Sequence, residues 1–170
     1  MRQAAAAILL ALPLAAAHSA GAARQASPCA LSTYVTDQDP AGLNVRSGPS
    51  SEARVLRIVS NGPAGVASIK GVSGAWFRIS RIVDAETDAV LFRGDGWVHA
   101  SLLGLDVANG DPTLYSEPSA GSRVLARLVA DQSGVTLIGC EGRWAKVRAA
   151  GRVGWLSPSG QCSNPLTTCS

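Results

Sequence analysis

The residues of this 170-residue chain that could do chemistry are few: four cysteines, two histidines and a short acidic run. A cysteine nucleophile needs a free thiol beside a histidine that a third group orients. His18 lies in an apolar N-terminal stretch, which leaves His99, in "GWVHAS", on an expected strand. A carboxylate pair for glycoside cleavage would come from Asp84, Glu86 and Asp88. Their spacing of two lines them along one exposed strand face or a loop, and a solvated turn accounts for them. No catalytic constellation results, so the chain is expected not to be an enzyme. Arg93-Gly94-Asp95 spells an adhesion tripeptide, but "GDG" ahead of a strand reads as a tight hairpin turn.

Cys29, Cys140, Cys162 and Cys169 all follow the apolar N-terminal stretch. Metal binding would want a C-x-x-C pair or nearby histidines, and neither is present. No metal or other cofactor is expected. An even cysteine count in an exported chain points to two disulfides. Of the three connectivities, Cys140–Cys162 with Cys29–Cys169 is slightly preferred, because it would tie the first half to the tail. A local Cys162–Cys169 loop stands nearly level with it.

Export itself is read from "MRQAAAAILLALPLAAAHSAGAA". One early positive charge, an apolar run too short for a membrane span and then small residues make a secretory signal peptide, residues 1–22. Ala20-Gly21-Ala22 is the preferred cleavage motif and Ala15-Ala16-Ala17 the alternative. A lipid anchor on Cys29 fits badly with Pro28 before it. About 148 residues remain, enough for one ordinary domain or two small ones. Removing Arg2 leaves 14 basic against 12 acidic residues, scattered without a basic run. Nucleic acid is therefore disfavoured as a partner, and no stable membrane insertion is expected.

The elements that position these residues come in two copies. "SGPSSEARVL" from Ser47 matches "SEPSAGSRVL" from Ser116, "AWFRIS" matches "RWAKVR", and "GDGWVH" matches "RVGWLS". The first copy alone carries the insertion "IVDAETDAVLFRG". Each copy reads as about five short strands separated by Gly, Pro, Ser and Asn. "GLNVRS" sets the pattern: Leu43 and Val45 are apolar, Asn44 and Arg46 polar, the period of a half-buried strand. No window after the signal has a convincing helical period.

The order "LNVRSGPS … VL … G … W-x-x-I/V … GWV" resembles the bacterial SH3-like (SH3b) domain family. "LNVRSGPS" matches the family's opening motif closely, and "GDGWVHASLL" its closing strand and turn. The second copy departs from it, with Tyr115 in place of Arg46 and Glu117 in place of Gly48. The resemblance implies an all-β fold of two tandem small SH3-like β-barrels. Residues 23–38 would be a lead-in, 39–105 and 112–160 the modules, 106–111 a short linker and 161–170 a cysteine-containing tail. It also implies an exported, periplasmic or extracellular protein that binds a cell-wall component, peptidoglycan peptide or glycan. A periplasmic protein-interaction adaptor or inhibitor docking onto an envelope enzyme is the alternative, which makes an envelope protein the other expected partner.

Candidate ligand-binding residues follow from strand alternation. Trp76 shares a face with Arg78, and Trp144 with Lys146 and Arg148, while Phe77, Ile79, Ala145 and Val147 oppose them. Trp97 and Trp155 lean outward because Val98 and Leu156 point in. With Asn44 and Arg46 these make the candidate set: Asn44, Arg46, Trp76, Arg78, Trp97, Trp144 and Trp155. An outward Trp offers a flat apolar face and an N–H donor. Packing under a loop, or between modules, is the competing role for each. Tyr115 at the Arg46 position argues against two identical sites.

Overall fold

The computed structural model describes residues 27–60, 64–130, 135–164 and 166–167. The expected signal peptide, its cleavage motifs and Cys169 lie outside them. The first copy forms β2 (Leu43–Arg46), β3 (Val55–Val59), β4 (Gly65–Ser73), β5 (Trp76–Asp84) and β6 (Val90–His99). The second forms β9 (Thr113–Tyr115), β10 (Val124–Arg127), β11 (Thr136–Glu141), β12 (Trp144–Ala149) and β13 (Arg152–Leu156). Their sheets have the same order, β3-β2-β6-β5-β4 and β10-β9-β13-β12-β11, each a curled antiparallel sheet. The fold is all-β, with two small barrels in tandem.

Period-two alternation builds both cores. Leu43 and Val45 of β2, Phe77 of β5 and Val98 of β6 have no exposed surface, and neither do Leu114, Ala145, Val147 and Leu156 of the second copy. In β5 the alternation slips once: Ile79 and Ile82 are both fully buried. On the β4 side, where Ser68 and Ile69 face Arg81 and Ile79, Ser80 is the odd residue and a β-bulge absorbs it. The repeated Gly-Trp pair also has a packing reason. A side chain at Gly96 would overlap the Val45 methyl, and one at Gly154 would sit 2.7 Å from the Leu114 Cγ. Strands β2 and β9 cross too close to leave room for it.

Arg93-Gly94-Asp95 is not a hairpin turn. Ile79 faces Gly96 and Arg81 faces Arg93, so Gly94 and Asp95 form the bulged side inside β6, with Gly94 at φ 147°. The turn lies further out, at the tip of the insertion, which lengthens β5 and β6 into a hairpin arm. There the Asp84 carboxylate accepts from the Glu86 and Thr87 backbone N–H groups at 2.8 and 3.2 Å. The Glu86 N–H foremost holds that carboxyl below its ordinary value.

The stretch expected as a lead-in contains β1 (Ser27–Val35), which joins the first sheet beside β4. Its far end pairs with β7 (Leu103–Gly104). Residues 106–111 are not a free linker. They begin with β8 (Asp106–Val107), which pairs with β14 (Gln161–Cys162), and Leu105 and Val107 are fully buried. The Tyr34 hydroxyl donates to Asp106 at 2.8 Å, and burial together with that carboxylate raises the phenol's pKa. At the other end Asp111 accepts from Tyr115 at 3.1 Å and from Ser157 at 2.8 Å. The segment packs because its apolar residues are needed in the core that spans both copies.

The preferred disulfide pairing also fails. Cys29 of β1 is joined to Cys140 of β11, with Cα atoms 5.7 Å apart and both residues buried. Lying along β4 carries β1 past the edge of β11, where Ala30 N–H donates to Gly142 O and Gly142 N–H to Pro28 O. Cys162 is disulfide-bonded as well.

The Cys29–Cys140 bond closes a separation of 111 residues. Loop-closure entropy then predicts that Cys29→Ala with Cys140→Ala costs ~2–5 kcal/mol, read as a lower urea midpoint. Asp111 yields a second expectation. Burial raises its carboxyl pKa, but Thr113, Ser157 and Tyr115 hydrogen bonds and the Arg127 charge outweigh that and bring it below 3.8. Its contribution is full above 3.8 and lost as pH falls through the lower folded value. Asp111→Asn is expected to be less stable than wild type at neutral pH, with the gap closing in acid. Urea midpoints at the two pH values check it.

Candidate functional site

The outer face of β2, β6 and β5 gathers five of the seven candidate residues. Arg46 stands opposite Trp97, and Trp97 opposite Arg78, making one cross-strand row. Asn44 precedes Arg46 on the same face, since side chains two apart share a side. In the next row Trp76 stands opposite His99, their rings edge to face at 5.1 Å. Asn44, Arg46, Ser51, Trp76, His99 and Ser101 line a shallow pocket of about 280 Å3.

Local contacts hold this face in place. Arg46 Nη1 donates to Ala53 O at 2.9 Å, which pins the guanidinium across the Gly-Pro-Ser loop. That explains Arg in the opening motif: it closes its own loop and leaves its other donors toward the pocket. His99 Nδ1 lies 2.8 Å from Ser101 Oγ, which fixes the imidazole against Trp76. Arg78 is engaged differently. It donates two hydrogen bonds of 2.6 Å to the Asp95 carboxylate, which the bulge aims at it. Those bonds hold Asp95 below the usual carboxylate range and raise the Arg78 pKa. Arg78 therefore borders the site with its charge already matched.

The second copy uses the same backbone for another purpose. Tyr115 occupies the Arg46 position and packs edge to face against Trp144 at 5.6 Å. Tyr115 is 9% exposed and its hydroxyl is committed to Asp111. Ser157, where the first copy has His99, donates to the same carboxylate. Trp144 is thus half-buried against its own module. Trp155 stands opposite Tyr115 and Lys146, with the Lys146 ammonium 5.5 Å from its ring centre. Trp155 and Lys146 face a separate cavity of about 630 Å3 between the two sheets, together with Pro28, Val72 and Cys140.

The pocket also contains residues outside the candidate set: His99, Ser51, Ser101 and Leu102. His99 had a legible signal, being two residues from Trp97 on one strand. Ser51 comes from a turn and Ser101 from the 3-10 turn after β6, where no strand period applies. Among the described residues no cluster of His, Cys, Asp and Glu could hold a metal ion.

Comparison with known proteins gives three results. No curated protein matches the chain. A solved structure described as NlpC2 from Trichomonas vaginalis is 17% identical, with a TM-score of 0.33. The match covers 78% of this chain and 48% of that one, so the chain spans about half its length. At that TM-score the likeness carries no argument. Residues 41–104 match one family model described as bacterial SH3 domain, and residues 111–159 match a second with the same description. The two matches fall on the two repeated sheets, and the chain belongs to the bacterial SH3 domain family.

Proposed function

We propose that the protein is an exported, non-enzymatic binding protein that holds a cell-wall peptide or glycan fragment on the outer face of its first module. Bacterial SH3 domains are commonly cell-wall binding or interaction modules. A disulfide between modules fits an oxidising compartment outside the cytosol. No helix among the described residues is long and apolar enough to cross a membrane.

One observation carries the reading. Asn44, Arg46, Trp76 and His99 surround an open pocket in the first module, whereas the corresponding aromatic position in the second packs against Tyr115. Trp76 supplies a rigid half-exposed surface for a sugar ring or a peptide side chain. Arg46, anchored at one nitrogen, directs its remaining donors to a carboxylate or carbonyl of the ligand. Asn44 adds both a donor and an acceptor. Trp97, between Arg46 and Arg78, extends the contact surface beyond the pocket.

Sedimentation with purified peptidoglycan tests this. Wild type is expected to co-sediment, and Trp76→Ala or Arg46→Ala to weaken binding by about tenfold, ~1.4 kcal/mol. Trp144→Ala is expected to lower thermal stability with little change in binding. Absence of wild-type co-sedimentation, or equal retention of Trp76→Ala, would overturn the reading.

A further inference from the structure

The hairpin arm has no counterpart in the second module, where β12 and β13 meet at a tight Ala150-Gly151 turn. Along the arm, Val90, Phe92 and Arg93 pair with Val83, Ile82 and Arg81 of β5. The other side of β6 pairs with β2 at Arg46–Trp97, beyond the bulge, and not along the arm. On that side β3 is the last strand of the sheet. Among the described residues, then, two unpaired strand edges border a groove of about 310 Å3, lined by Leu56 and Arg57 of β3 and by Val90, Leu91, Phe92 and Arg93.

Open edges are usually shortened, charged or covered, because their N–H and C=O groups template a further strand. Here exposed apolar side chains flank them alongside arginines: Leu56 is 40%, Ile58 52% and Val90 47% exposed. The charges add a second observation. Arg81 and Arg93 stand directly opposite each other across β5 and β6. Like charges in that position destabilise a sheet unless an anion lies between or beside them. Arg57, Arg81 and Arg93 are all exposed, and none is ion-paired or hydrogen-bonded through its side chain to a described residue. Arg78, by contrast, has Asp95. Asp84, at the end of β5, is turned into its own hairpin tip.

We propose that this groove docks an extended acidic segment of a partner protein. The segment adds a strand to the open edge of β6, sets carboxylates against Arg57 and Arg93, and lays alternate apolar side chains on Leu56, Val90 and Phe92. Main-chain pairing supplies affinity and the alternating side chains supply selectivity. A lipid surface or an anionic glycan would satisfy the arginines but not the strand edges. The site is independent of the pocket around Trp76.

The test is selection of a displayed random octapeptide library on the full chain with its disulfides formed. Enriched peptides are expected to mix Asp or Glu with apolar residues and to lose at least tenfold in affinity when alternate amides are N-methylated. The Arg57→Glu, Arg93→Glu double variant is expected to lose at least tenfold as well. It places Glu opposite Arg81, so its thermal stability should equal or exceed that of wild type. Trp76→Ala should bind the peptides as wild type does, which separates this site from the wall-binding reading. No enrichment, unchanged binding by the double variant, loss on Trp76→Ala, or binding to phosphatidylglycerol vesicles in place of peptide would each overturn the proposal.

Discussion

A strand that belongs to neither repeat holds the molecule together. β1 completes the first sheet by pairing with β4, makes two backbone hydrogen bonds to Gly142 just past β11, and is joined to β11 by Cys29–Cys140. Each repeat alone has only about five short strands, close to the lower limit of what a single apolar core stabilises. Docking through β1 merges the two cores into one cluster that runs from Leu31 and Ile69 to Leu137 and Val147. The connector then has to pack as well. Val107 enters that cluster, and Asp106 and Asp111 tie its ends to Tyr34 and Tyr115.

Within that frame the repeats divide the work. Their strand order and their inward residues are alike, so both can fold by the same alternation. Their outward residues are not. Replacing Arg46 with Tyr115 exchanges a cation that borders a pocket for a ring that packs against the neighbouring Trp. Replacing His99 with Ser157 then gives Asp111 a second hydrogen-bond donor. The first module keeps an open polar and aromatic face. The second gives that face up to packing and anchors the connector and tail.

The acidic run and the Arg-Gly-Asp tripeptide show how far local reading reaches. Asp84, Glu86 and Asp88 are in a solvated turn because Asp hydrogen-bonds the backbone two residues on, a local property. Gly94 and Asp95 have turn-like composition yet lie within a strand. β5 runs long enough to keep pairing past them, and a bulge absorbs the excess. The connector departs from its composition for a related reason. "DVANGD" is rich in turn residues, but Val107 sits where β14 returns, and pairing outweighs composition.

By itself the sequence determined which way residues face. The repeat, the all-β class and the division of Phe77 from Trp76 or Val45 from Arg46 all follow from a period of two, set by steric geometry within one strand. The tertiary structure decided which faces meet. It chose Cys140 for Cys29, turned residues 27–35 into a strand, left the pocket beside Trp76 open and closed Trp144 against Tyr115. Those outcomes depend on contacts between residues far apart in the chain, where the closure of each sheet and the shared core set the distances. No single segment's pattern encodes them.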